Sequence, residues 1–447
     1  MPGRTVPQRP ETAIEGGPEL PKHEAIEELA RLDLDGVATI VAVTRPGAKG
    51  RFPVLVFHHG AGTGNHTAYR EHSLILAAMG VVCLTPDKNL QKYSTFNRDY
   101  QHMARQYVDL AQWARRQPWA MESFTGYYGE SEGAWTAEVS ARLDREAGLM
   151  VLVSSPEVTP RQQAFYAAST YLMSVGAPAP LLDAAVRFVG ATMPPGTMGY
   201  GDFDVTEYRQ DLTMPVFMAF GTADLSMPID QAAQLVLDQA PGPVTVRYYG
   251  QANHGLRQGR DQRLLPDFFL DLATWIQALC QENLRAGIGP QIAGSPPDQP
   301  FWVDQVPKAP AVLWSGGAAA TALAAIGTSF ARGEGTPGRR RIFTAFRLGT
   351  LASFAGYVGY LIMVVQLAAN YRQVPWAVKL GYRAVQASGL LTALAGTMAV
   401  RRARRDGGRL GAGLAGGALV LALLGYWGGL GRLRQARLDE AGPIDLS

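Results

Sequence analysis

The chain has 447 residues, 47% of them hydrophobic and 18% charged, with a formal net charge of +3. That length leaves room for two or three domains, and so slight a positive excess gives no footing for nucleic acid or a strongly acidic partner. Two cysteines occur, Cys83 and Cys280, without the spacing of a disulfide framework or a thiolate metal site, so both read as core thiols.

Residues 1–23 are rich in Pro, Gly and charge and lack the apolar run of a secretory signal, so they read as a disordered tail. From 24 to 286, apolar β-branched runs alternate with amphipathic stretches, the pattern of an α/β domain with a mainly parallel sheet. The run from Phe52 to His59 predicts a buried strand that enters the glycine-rich loop Gly60-Ala61-Gly62-Thr63-Gly64. A helix over Tyr69 to Met79, a strand over Val81 to Thr85 and a helix over Tyr100 to Arg116 follow.

The next strand runs into Gly129-Glu130-Ser131-Glu132-Gly133, which has the form G-x-S-x-G. In a nucleophile elbow the two glycines remove β-carbons that would collide as the strand turns sharply into a helix, leaving the serine hydroxyl at the apex. In a chain with 50 glycines an ordinary glycine-rich loop is the alternative. Leu149 to Val153, Pro215 to Phe220 and Val244 to Tyr249 read as further strands. The long insertion at about 155–213 has the place and apolar content of a helical cap, with Phe165, Tyr166, Tyr171, Phe188, Met193 and Tyr200 among its residues. Its aromatic content fits either the cap's own packing or an acyl pocket.

Asp224 follows an apolar strand and a glycine, in a loop at the strand's carboxyl end where an orienting acid is needed; capping the helix near Pro228 is its other reading. His254 lies just past the strand Val244 to Tyr249 and is the one histidine of seven downstream of Asp224; a surface histidine is the alternative. His58, His59 and His66 cluster in sequence, but adjacent strand residues point to opposite faces, so no metal is expected there. The loop Gly60 to Gly64 lacks the Lys-Ser/Thr of a P-loop and the spacing of a dinucleotide fingerprint, so no cofactor is expected either.

In order along the chain stand His59-Gly60, the elbow at Ser131, Gly221-Thr222-Ala223-Asp224 with Pro228, and Asn253-His254-Gly255. On these landmarks the stretch from Val37 to Ala278 resembles the α/β-hydrolases, and more narrowly bacterial hydrolases related to dienelactone hydrolase and the C-terminal domains of acyl-CoA thioesterases. The resemblance implies a mostly parallel sheet flanked by helices with a helical cap. It also implies a triad of Ser131, Asp224 and His254 in the chain order of that fold. An oxyanion hole would come from the backbone N–H groups of Glu132, which opens a helix, and Ala61. The family's residues around the serine differ: two glutamates flank Ser131 and Ala134 stands where a second glycine is common, while the turn Asp87-Lys88-Asn89-Leu90 departs from Asp-Lys-Arg-Gly. These departures leave the substrate open. A flanking glutamate that faces the cleft would favour the cationic imidazole and move activity to higher pH.

A proline-rich linker is expected over 287–308, where Pro290, Pro296, Pro297, Pro300 and Pro307 break regular structure. Beyond it, 309–431 holds four apolar stretches, Ala309 to Phe330, Leu348 to Ala369, Ala384 to Val400 and Leu410 to Leu430, each near the length that crosses a bilayer. They predict a transmembrane helical bundle rich in small residues, without Asp, Glu or Lys mid-span, hence an anchor to the lipid bilayer; 432–447 form a tail. The arginine-rich loops at Arg339-Arg340-Arg341 and Arg401-Arg402 both read as cytoplasmic. Four full spans would then put the hydrolase domain outside, with no export signal. A first segment that re-enters the bilayer keeps the catalytic domain cytoplasmic, and that is the expected arrangement.

The function expected is that of a membrane-anchored serine hydrolase acting on small or lipid-like carboxylic esters or thioesters. A peptidase or amidase and an acyltransferase can use the same triad, and an inactive binding module on a membrane bundle is the non-enzymatic alternative.

Overall fold

The computed structural model describes residues 19–62, 64–94, 96–174, 199–259, 261–281, 291–294 and 302–303. The chain divides into two compact units, residues 1–163 with 195–302 and residues 164–194 with 303–447. The first holds the sheet and the candidate site. Of the second, the described residues are 164–174 and 303. The four expected membrane spans within 309–431 lie outside the described residues, as does 175–198 of the expected cap. Among the described residues, no helix is long and apolar enough to cross a membrane.

Strands β1 (Ala25–Leu34), β2 (Val37–Pro46), β3 (Phe52–His58), β4 (Val82–Pro86), β5 (Ala120–Glu130), β6 (Met150–Val153), β7 (Val216–Gly221) and β8 (Val244–Tyr249) join one sheet. The small pair β9 (Arg257–Gln258) and β10 (Arg263–Leu264) stands apart, and β11 (Gln291–Ala293) completes the large sheet, in the order β1-β2-β4-β3-β5-β6-β7-β8-β11. Pairings from β4 through β11 are parallel, whereas β1 and β2 are antiparallel to their neighbours. The helices are α1 (Arg70–Ala78), α2 (Tyr100–Arg115), α3 (Glu132–Leu143), α4 (Pro160–Ser174), α5 (Thr206–Arg209), α6 (Ile229–Gln239) and α7 (Pro266–Cys280). A mostly parallel sheet flanked by helices, with a serine at the turn from β5 into α3, is the α/β-hydrolase fold.

Strand alternation decides the layers. Leu55, Phe57, Val151, Val153, Phe217 and Ala219 form one core with Leu76 of α1 and Phe268, Leu272, Trp275 and Ile276 of α7. His58, one residue on from Phe57, points to the other face and stacks on Tyr107 of α2, with ring centroids 3.8 Å apart. On that face α3 is tied down by Tyr127 and Arg115, which both donate to Asp144 just past its end. Strand β3 lies between β4 and β5, so the loop leaving β3 and the turn leaving β5 come together at the carboxyl ends of the strands.

Two elements differ from the sequence reading. The hairpin β1–β2 was outside the expected strands, because adjacent charges such as Glu27-Glu28 blur its alternation. Its turn, Asp35-Gly36, has φ of 50° and 75°, the signature of a tight hairpin turn. The proline-rich stretch 287–308, expected as a linker, contributes β11, whose Gln291, Ile292 and Ala293 pair in parallel with Thr245, Val246 and Arg247. Prolines bracket those three residues without interrupting them.

The close approach of α3 to the sheet rests on Gly133, where an added β-carbon would lie 2.4 Å from the His58 carbonyl oxygen. Gly133→Ala therefore forces α3 off β3 and is expected to cost about 1–3 kcal/mol, as overpacking does. The full-length variant should melt at a lower temperature than wild type, and an equal midpoint would contradict this close fit.

Candidate active site

Ser131 occupies the turn between β5 and α3 with φ 57° and ψ −122°. A positive φ is strained for a residue with a β-carbon, by about 1–3 kcal/mol, and is held only where the surroundings over-determine it. Here the Ser131 N–H donates to the Val153 carbonyl at 2.9 Å, fixing the turn to the end of β6. Gly129 and Gly133 let it close: an added β-carbon on Gly129 would meet the Ala134 Cα at 2.7 Å. Ser131 itself is 3% exposed.

The backbone ladder continues past the strand ends and carries the other groups. Ser154 donates its N–H to Ala219 at 2.8 Å and its hydroxyl to the His254 carbonyl at 2.6 Å. Thus the strand end that holds Ser131 through Val153 also holds His254 through Ser154. Past β7, Thr222 and Ala223 donate to Tyr249 and Ala252 at 2.9 Å each, so the Asp224 loop rides on the loop that follows β8. Asp224 is then buried, with Oδ2 2.7 Å from His254 Nδ1. Its Oδ1 accepts the Ser226 N–H at 2.8 Å and the Ser226 hydroxyl at 2.5 Å. Both of its oxygens are thereby engaged locally. The capping alternative for Asp224 is not realised, because α6 is preceded by Pro228 and has no side-chain cap. His254 is buried rather than on the surface.

The loop after β3 passes directly over the elbow. An added β-carbon on Gly60 would lie 3.2 Å from the Glu130 carbonyl oxygen and 3.6 Å from Ser131 Cβ. Ala61 follows, exposed, and Glu132 opens α3 immediately after Ser131. The helix start leaves the first backbone N–H groups of α3 without intrahelical partners, and the dipole there favours negative charge.

The two flanking glutamates have opposite surroundings. Burial pushes the Glu130 carboxyl above its usual range, against the pull of His254 and Arg257. Burial acts on Glu132 in the same direction, but Lys88 and Arg98 outweigh it and hold that carboxyl below the usual range. Glu132 Oε2 accepts from Lys88 Nζ at 3.2 Å and the Tyr93 hydroxyl at 2.7 Å, while Oε1 accepts from Arg98 and from the Tyr100 hydroxyl at 3.2 Å. Of the two, Glu130 is the one within electrostatic reach of the imidazole.

The three histidines clustered in sequence, His58, His59 and His66, go to different places. His58 is buried in its stack on Tyr107, and burial, then the neighbouring His59, lowers its pKa. His59 Nε2 meets the Pro86 carbonyl at 2.6 Å, and burial lowers its pKa to about 4. His66 Nδ1 meets Asp87 Oδ1 at 2.7 Å. No group of three or more metal-ligating side chains is found among the described residues. Of the expected apolar cap residues, Phe188 and Met193 lie outside the described residues. Tyr200, with Phe203, packs on a cluster containing Tyr100, Trp135 and Tyr208.

Sequence reasoning missed Ser154, Ser226, Tyr93, Arg98 and Tyr100. Lys88 was legible in part, since it follows the carboxyl end of β4, where parallel-sheet enzymes place working groups.

No known family profile matches the chain, and no curated protein matches it. Among solved structures it is similar to dienelactone hydrolase from Anabaena variabilis, with 15% identity over 60% of this chain and 100% of that one and a TM-score of 0.38. A 2,6-dihydroxy-pseudo-oxynicotine hydrolase shares 15% identity over 59% of this chain and 71% of its own, at a TM-score of 0.42. An esterase from Pyrobaculum calidifontis shares 16% over 58% and 87%, at 0.40. Likeness this weak bears on no substrate, and the fold stands on the sheet order itself.

Proposed function

We propose that the chain is a serine hydrolase that cleaves carboxylic esters or thioesters through an acyl-enzyme on Ser131, anchored to a bilayer by residues 309–431. The observation that carries the reading is the strained Ser131 backbone, held by β6 next to a buried Asp224–His254 pair tied to the same strand end. The anchoring part rests on the apolar sequence of 309–431.

In this mechanism His254 donates Nδ1–H to Asp224, which makes Nε2 the basic nitrogen and stabilises the imidazolium when it forms. Nε2 takes the Ser131 hydroxyl proton as Oγ bonds to the substrate carbonyl carbon. The negative charge that develops on the carbonyl oxygen is met by the backbone N–H groups of Glu132 and Ala61. Collapse breaks the bond to the leaving alkoxide or thiolate, and the imidazolium supplies its proton. Water, deprotonated in turn by His254, attacks the acyl-serine, and the released proton returns to Ser131.

Membranes carrying the full-length chain, washed with alkaline carbonate and treated with a fluorophosphonate probe, test both parts. Wild type is expected to stay in the pellet and label, Ser131→Ala to lose labelling, and Asp224→Asn to label at least about a hundred times more slowly, given the large effect of losing the correct tautomer. Equal labelling of Ser131→Ala would sink the triad, and release of the chain into the wash would sink the anchor.

A further inference from the structure

The buried carboxylate of Glu132 is joined to both sides of Ala61. Lys88 Nζ, which donates to Glu132 Oε2, also donates to the Gly60 carbonyl at 2.8 Å. The Tyr93 hydroxyl, which donates to the same Oε2, accepts the Gly62 N–H at 2.9 Å. Gly60 and Gly62 are the residues before and after Ala61. We propose that Glu132, Lys88 and Tyr93 form a clamp that sets the oxyanion loop, so that one residue governs both oxyanion donors: Glu132 supplies one N–H from its backbone and positions the other through its side chain. The inference rests on the serine-hydrolase reading above and adds to it the residues that set the loop.

Three further features support the clamp. Glycine-rich loops have no side chains of their own with which to hold a shape, and Gly60-Ala61-Gly62 carries only one methyl group. The cage is dry at its centre, since the Lys88 and Glu132 side chains are each 2% exposed. Lys88 also lies over the Tyr93 ring, 3.8 Å from its centroid, while the Arg98 guanidinium lies 5.2 Å from the same ring. Four donors on one carboxylate are more than a helix start or a surface ion pair needs. Two of the four pass the restraint on to a loop that touches the elbow.

Lys88, Tyr93 and the Glu132 side chain are positioning residues, because they reach the reacting atoms only through the loop. Their loss should be felt where the carbonyl oxygen gains charge, and a substrate pair that differs at that atom reads it. An oxoester and its thionoester present oxygen or sulfur to the same donors, and sulfur accepts these hydrogen bonds poorly. Wild type should favour the oxoester strongly. Losing one oxyanion donor outright costs about 10²–10³ in kcat, so loosening one should cost about tenfold.

The test is steady-state hydrolysis of a matched p-nitrophenyl oxoester and thionoester by the full-length chain, comparing wild type, Tyr93→Phe, Glu132→Gln and Ser131→Ala. Tyr93→Phe keeps the ring and removes only the hydroxyl, so it guards against a Glu132→Gln variant that does not fold. The clamp predicts that Tyr93→Phe lowers kcat for the oxoester about tenfold with KM little changed, and narrows the oxo/thiono ratio by a similar factor. Equal losses on both esters, or no loss on either, would overturn the clamp and leave the triad standing. Undiminished oxoester turnover by Ser131→Ala would instead remove the serine-hydrolase reading, and the clamp with it.

Discussion

A strained turn at Ser131 is the constraint on which the rest of the site depends. For β5 to pass into α3 within one residue, that residue must accept a left-handed φ, and the helix must start almost touching the sheet. Gly129 and Gly133 remove the β-carbons that would forbid it, and the Val153 carbonyl holds the turn from the side. Because β6 also carries Ser154, whose hydroxyl binds the His254 carbonyl, the same strand end sets the height of the serine and of the imidazole. Asp224 joins through the backbone bonds between the loops after β7 and β8. Main-chain hydrogen bonds at the carboxyl ends of parallel strands, together with the Ser154 hydroxyl, thus position three side chains that are far apart in sequence.

Electrostatics then divides the labour between two adjacent glutamates. Both are drawn from water, which disfavours their charge. Glu132 has Lys88, Arg98 and two tyrosine hydroxyls within reach and stays ionised, and its charge organises the loop above the elbow. At Glu130 burial prevails, pushing the carboxyl up against the pull of His254 and Arg257. One carboxylate is held charged as an anchor, while burial favours the neutral form of the other.

Much of this was legible in the sequence where a local pattern coincided with a tertiary need. The elbow shows in G-x-S-x-G because a turn this sharp demands both glycines, Gly129 against Gly133 and Ala134 and Gly133 against the neighbouring strand at His58. The strand β8, Val244 to Tyr249, shows in its β-branched and aromatic run with unchanged bounds. The Asp224–His254 pair was legible as order and spacing after strands, while its hydrogen bond at 2.7 Å depends on which strands are neighbours. The cage around Glu132 was not legible, because Lys88, Tyr93 and Arg98 come from the segment between β4 and α2 and Tyr100 from the start of α2, and they converge only once β4 and β5 flank β3. The hairpin of β1 and β2 was obscured for a different reason. An edge strand carries charge on its exposed positions and so lacks the clean alternation of a central one.

The central claim is that an acyl group passes through Ser131, and a stopped-flow reaction of the full-length chain with a p-nitrophenyl ester tests it most directly, coupled to mass spectrometry of the quenched protein. The account predicts a burst of nitrophenolate close to one equivalent and an acyl adduct on the peptide that contains Ser131. Turnover without any adduct, or an adduct mapped to another residue, would contradict it.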